Sequence, residues 1–101
     1  MSHDFVISIV DGADPTIRLE GDLDLASAHE LRAVLRDVGG DTTVDCSCLT
    51  FIDSSGISVL LGAHRRLEAE GHTLRLVGMS PTVRRPVELA GLDKVLVLDR
   101  V

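Results

Sequence analysis

One hundred and one residues, 45% of them hydrophobic, are enough for one domain with a real core and too apolar for a disordered chain. Only 2% are aromatic, with no Trp or Tyr, so the core must be aliphatic and stacking platforms for single-stranded nucleic acid are excluded. A net charge of −6 argues against a phosphate backbone as partner, so no nucleic acid is expected.

The charge is unevenly placed. Residues 1–62 hold 11 acids against 3 Lys/Arg, while residues 63–101 hold 5 against 7. A solvated, repulsive surface accounts for such an asymmetry, and an acidic face would also steer a basic partner. The amino terminus, MSHDFVISIV, lacks a basic region and a long apolar run, so it does not read as a signal peptide. No apolar run approaches the ~18 residues that span a bilayer. The expectation is a soluble, cytoplasmic protein with no membrane partner.

In chain order, Phe5, Ile7 and Ile9 predict a first strand, and DGADP (11–15) a turn. Ile17 and Leu19 alternate with Thr16, Arg18 and Glu20 in a second strand, which makes a hairpin with the first. GDLDLAS then leads into a helix. Ser27 and Glu30 have capping-box spacing, Leu31, Val34, Leu35 and Val38 recur at helical spacing, and Gly39-Gly40 should end it. Val44, Cys46 and Cys48 alternate with Thr43, Asp45 and Ser47 in a third strand with one polar face.

The spacing predicts a second helix from about Ser54 to Glu70, with Ile57, Leu60, Leu61, His64 and Leu67 inward and Gly71 as its stop. Leu74 and Leu76 mark a short fourth strand. Ser80-Pro81 opens a third helix, lined by Val83, Val87 and Ala90 and closed by Gly91. Pro86 lies inside it, where the lost bond to the Thr82 carbonyl should kink or shorten it. KVLVLDRV is a last strand. The order β-β-α-β-α-β-α-β, with three to four helices, predicts an α/β fold over residues 1–101. Its sheet is mixed, with an N-terminal hairpin and a parallel portion.

In such sheets, functional sites favour loops at the carboxyl ends of strands. TFIDSSG and GDLDLAS are two such loops. Three readings of Asp53-Ser54-Ser55-Gly56 compete. An Asp or Ser can cap the helix, satisfying free N–H groups. A serine can act as a nucleophile, but the chain has no G-x-S-x-G elbow, and nothing marks His3, His29, His64 or His72 as its base. A serine can also accept phosphate, since a helix N-terminus tolerates the charge and a phosphate beside Asp53 changes what can dock there.

Cys46 and Cys48 stand two apart, poorly placed to bridge each other. The alternation places both thiols toward apolar layers, and one C-x-C pair is a weak metal set. No metal and no cofactor is expected.

The run VDCSCLTFIDSSGISVLLGAHRRLEAEG resembles the core of STAS domains, specifically bacterial anti-sigma-factor antagonists, in which D-S-S/T-G opens a helix after a strand. GDLDLASAHELR is similar to their earlier G-x-L-D segment and first helix, and SPTVRRPVELAGLDKVLVL to their final helix and strand. The likeness runs from about Ile17 to Leu98. It implies a single STAS domain that is not an enzyme but binds an anti-sigma factor with serine kinase activity, releasing the sigma factor. Phosphorylation would switch it off, and a PP2C-type phosphatase would restore it. Carried over, the phosphoacceptor is Ser54. Asp22, Asp24, Asp53, Ser54, Ser55 and Gly56 form the partner surface, with Asp24 matching an acid implicated in phosphorylation and contact. Nothing in the chemistry of the sequence separates Ser54 from Ser55. The competing reading is a STAS-domain scaffold or subunit of a larger complex, with the serines only capping the helix. Pro86 departs from the family pattern in a helix that is commonly part of the partner surface. Beside it, Arg84 and Arg85 are either a docking patch or a solvated face.

Overall fold

The computed structural model describes residues 5–10, 14–92 and the backbone of 97–99. Eight elements follow the expected order: β1 (Val6–Val10), β2 (Thr16–Leu23), α1 (Leu25–Arg36), β3 (Thr42–Ile52), α2 (Ser54–Ala69), β4 (Leu74–Val77), α3 (Pro81–Leu89) and β5 (Val97–Asp99). They build one five-stranded sheet in the order β1-β2-β3-β4-β5. The β1–β2 pair is antiparallel, and each later pair is parallel. The centre of the expected DGADP turn, His3 and most of the expected last strand lie outside the described residues. Among the described residues, no helix is long and apolar enough to cross a membrane.

The core is aliphatic, as the composition requires. Ile17, Leu19, Leu23, Leu31, Leu60, Leu67, Leu74, Leu76, Val83 and Val87 are all fully buried in one cluster. Removing one such side chain from water contributes about 1.5–3 kcal/mol, so this cluster dominates the favourable side of folding.

The third strand departs from the expected alternation. Burial falls at Val44 and Cys46, then at Leu49 and Ile52, while Cys48 is only half-buried. The pairing shows why. Arg18 pairs with Asp45 but Glu20 with Cys48, and Gly21 pairs with Leu49 but Asp22 with Phe51, so β3 carries an extra residue at each step. A one-residue slip turns a strand's side chains to the other face. Ser47, in the first bulge, finds a partner for its N–H in Asp45 Oδ1 at 2.9 Å. That bond is the main reason the Asp45 carboxyl is held below its ordinary range. The end of β4 crosses closely here: a Cβ on Gly78, whose φ is +73°, would lie 3.0 Å from Ser47 Cβ.

The helix ends also differ in detail. The first helix begins at Leu25, capped by Asp24, so Ser27 is its third residue and not its N-cap. Asp24 and Ser27 form the reciprocal box, which displaces the Ser27/Glu30 pairing expected from spacing. This helix stops at Arg36, ahead of Gly39-Gly40. Its open end is closed from the neighbouring helix: Arg66 Nη2 donates to the carbonyls of Leu35 at 2.6 Å and Val38 at 2.9 Å. In α2 the buried line is Gly56, Val59, Leu60, Ala63 and Leu67, with Ile57, Leu61 and His64 at its half-buried margin. Ser80 caps α3 with Pro81 at its first position, as expected. The helix continues through Pro86 to Leu89, and Ala90 is exposed at its C-cap.

The bulge separates the two thiols, correcting the expectation that both face apolar layers. Cys46 is 1% exposed, and burial pushes its pKa up to about 12. The half-buried Cys48 sulfur instead accepts a hydrogen bond from Arg18 Nη2 at 3.0 Å. A neutral, water-soluble thiol reagent should therefore label native protein at Cys48 and reach Cys46 only on unfolding. Equal native labelling of both, mapped by peptide mass, would contradict this register.

Candidate functional site

The site begins with two strands ending side by side. Leu23 and Ile52 are partners at the carboxyl ends of β2 and β3, and the Asp53 N–H donates to the Leu23 carbonyl at 3.1 Å. Each strand then passes into a helix through an extended aspartate. Asp24 and Asp53 have φ of −113° and −114°, and both are N-caps. Two helix N-termini, with their partial positive charge, thus open at the same sheet edge.

Asp24 is half-buried and tightly held. Its Oδ1 accepts from the Ser27 N–H at 3.2 Å, while its own N–H donates to Ser27 Oγ at 2.8 Å. The buried Ser27 hydroxyl donates in turn to the Asp22 carbonyl at 2.6 Å. Asp22 is exposed, and its Oδ1 accepts from Thr50 Oγ1 across the strands at 2.7 Å. Asp53 Oδ1 accepts from the Ser55 N–H at 2.9 Å and the Gly56 N–H at 3.2 Å. Capping of α2 therefore falls to Asp53, not to a serine hydroxyl.

The two serines, equivalent in the sequence, are not equivalent in the fold. Ser54 is exposed at the first helical position, whereas Ser55 is half-buried. Gly56 explains how close the helix start lies. A Cβ there would fall 2.6 Å from Leu23 Cγ, 2.8 Å from Leu23 Cδ2 and 3.0 Å from Ile52 Cγ1. The structure brings all six expected residues, Asp22, Asp24, Asp53, Ser54, Ser55 and Gly56, to this edge. Gly56 serves as a floor, not as a surface.

Two neighbours escaped the sequence reading. Leu25, 62% exposed, follows Asp24, and Phe51, 47% exposed, pairs with Asp22. Exposed apolar groups beside carboxylates make a rim suited to another protein. The signal was present for Phe51, which stands next to the inward Ile52 in the alternation; Leu25, with Ala28 three residues on, gave none. Among the described residues, no group of three His, Cys, Asp or Glu could hold a metal ion.

Gly56→Ala should lower stability by about 1–3 kcal/mol in urea unfolding, because the added methyl collides with a fully buried leucine. Asp53→Ala should cost about 1 kcal/mol, and Asp53→Asn, which keeps the capping oxygen, far less. A Gly56→Ala protein as stable as wild type would show that the helix start is not so tightly seated.

A family model described as "Mlab, STAS domain" matches residues 10–98. An anti-sigma F factor antagonist from Lysinibacillus sphaericus is 34% identical over 93 residues, covering 87% of this chain and 80% of that protein. The crystal structure of an anti-sigma factor antagonist from Mycobacterium paratuberculosis superposes with a TM-score of 0.82 at 27% identity, covering 94% of this chain and 85% of that one. The Bacillus cell fate determinant SpoIIAA in its phosphorylated form superposes with a TM-score of 0.71 at 29% identity, covering 94% and 90%. With its mixed sheet, its paired helix starts and a family match over most of its length, the chain belongs to the STAS domain family.

Proposed function

We propose that this chain is an anti-sigma factor antagonist. In the unphosphorylated state it binds an anti-sigma factor with serine kinase activity and so releases the sigma factor. Phosphorylation of Ser54 switches it off, and a PP2C-type phosphatase returns it to the binding state. It performs no catalysis of its own. The relatives' name as antagonists supports the role, and the phosphorylated form known for SpoIIAA supports the switch.

The observation that carries the assignment of Ser54 is its exposure at the first position of α2, beside a half-buried Ser55. A kinase must bring the hydroxyl in line with a nucleotide phosphate, which an exposed residue permits. Asp53 Oδ1 already holds the N–H groups of Ser55 and Gly56, so a phosphate on Ser54 has little of the helix end left to bind. It adds about −1.5 to −2 charge to the outer surface among Asp22, Asp24 and Asp53. Two unit charges ~6 Å apart at an effective dielectric of 20 interact by roughly 3 kcal/mol, less when exposed and screened. Repulsion at the docking surface, with the fold intact, is then the mechanism of release. Leu25 and Phe51 supply apolar contact in the unphosphorylated complex, flanked by the carboxylates and by Ser55.

The competing reading is a scaffold or subunit of a larger complex; the capping role it gave to the serines falls to Asp53, which leaves Ser54 without a part in it. Incubation with the anti-sigma kinases of the same genome and ATP, followed by intact mass and phosphopeptide mapping, separates the two. One phosphate at Ser54 is expected from a cognate kinase. Ser54→Ala should take none and bind that kinase as the wild type does. Phosphorylated protein should bind at least a hundredfold more weakly, about 2.7 kcal/mol, with an unchanged circular dichroism spectrum. Phosphate on Ser55 would overturn the residue assignment. Absence of phosphate and of binding with every such kinase would overturn the function.

A further inference from the structure

The helices α1 and α2 lie side by side, and between them runs a groove of about 270 Å³ that the Ser54 site does not use. Leu35, Val59 and Ala63 give it an apolar lining; Arg32, Arg36 and Arg66 stand along it. Arg66 is committed internally, to the carbonyls of Leu35 and Val38 and to Glu70 at 3.3 Å. Arg32 and Arg36 are exposed, and among the described residues neither has a hydrogen bond or ion pair. They sit four apart on one helix, where like charges repel. In a chain with only three Lys/Arg among its first 62 residues, two of the three are on this groove.

Gly62 is the second, independent observation. It lies in the middle of α2 and lines the groove, yet a Cβ built on it would meet nothing within 4 Å. Gly56, six residues earlier, is glycine because the core touches it. Packing within the described chain gives Gly62 no such reason. Glycine in a helix interior lowers the folding equilibrium about fivefold relative to alanine. A bare backbone at that point suits something that approaches from outside.

We propose that the α1–α2 groove seats an acidic amphipathic helix of a partner protein, with its backbone against Gly62 and its carboxylates on Arg32 and Arg36. A groove between two helices takes a third by its apolar face, and the unpaired guanidinium groups select the charge of its margins. Ser58 lines the upper part of the groove one helical turn below Ser54, so the seat is continuous with the proposed switch surface. Identification of the partner as the anti-sigma kinase rests on the function proposed above; the groove's preference for an acidic helix does not.

The test uses the intact protein and two probes. The first is a synthetic helical peptide with Leu at three- and four-residue spacing and Glu along both margins, titrated into isotopically labelled protein. Amide shifts should cluster at Arg32, Leu35, Arg36, Ser58, Gly62 and Ala63. They should fade as salt rises from about 0.1 M to about 1 M, which shortens screening from about 10 Å to about 3 Å. The same peptide with Lys for Glu should leave the groove unshifted. Arg32→Gln with Arg36→Gln should weaken binding at least tenfold. Gly62→Leu should melt no lower than wild type yet lose binding, which separates a blocked groove from a damaged fold. The second probe is whichever kinase phosphorylates Ser54, and both variants should bind it at least tenfold more weakly. Peptide shifts outside the groove, or none, overturn the proposal. Variants that hold the kinase as tightly as wild type overturn the kinase as the groove's partner, and phosphorylation of Ser54 in them leaves the switch standing.

Discussion

At Gly56 the backbone of α2 comes so near Leu23 and Ile52 that only a hydrogen fits where other residues carry Cβ. This approach brings the start of α2 onto the paired ends of β2 and β3, where Asp53 N–H can reach the Leu23 carbonyl. From that bond the rest of the functional edge follows. Asp53 is extended and caps α2; Asp24, one strand over, is extended and caps α1. With both caps aspartate, the serines are released from capping, and the first helical residue, Ser54, points its chemistry to solvent.

The same edge concentrates charge, with Asp22 exposed and Asp24 and Asp53 half-buried. Asp22 and Asp53 are held by Thr50 and by backbone amides, groups that orient carboxylates without neutralising them. An arrangement of this kind leaves negative potential at the surface, where one further phosphate changes the balance most. The unpaired arginines of the α1–α2 groove lie further along the same helices, so the helical face carries acid at one end and base at the other.

Both surfaces rest on the same support. The aliphatic cluster lies beneath both, and Arg66 ties α2 to the open carbonyls of α1 at the far end from the caps. The two helices are thereby joined at both ends, by the strand tie near Asp53 and by the Arg66 fork. The space between them is left as a groove because Gly62, Ala63 and Ser58 present little volume there.

Much of this was legible in the residues alone. Alternating Ile17 and Leu19, helically spaced Leu31 and Leu35, the Ser80-Pro81 start and glycines after α2 and α3 are local signals with local causes, and they placed eight elements in order. The DSSG junction also stood out, since acids, hydroxyls and a glycine at a helix start have few roles. What the sequence could not decide depended on neighbours. The phase of β3 changes at two bulges because the strand pairs with a shorter β2, so Cys48 leaves the face that alternation assigned it. Asp24, not Ser27, caps α1, because the cap is chosen by where β2 ends. Ser54 and Ser55 differ only in exposure, and Gly56 differs from Gly62 only in what lies above its missing Cβ. Propensity and periodicity are properties of a short stretch of chain; exposure, register and contact are properties of its surroundings, and those existed only once the sheet had closed.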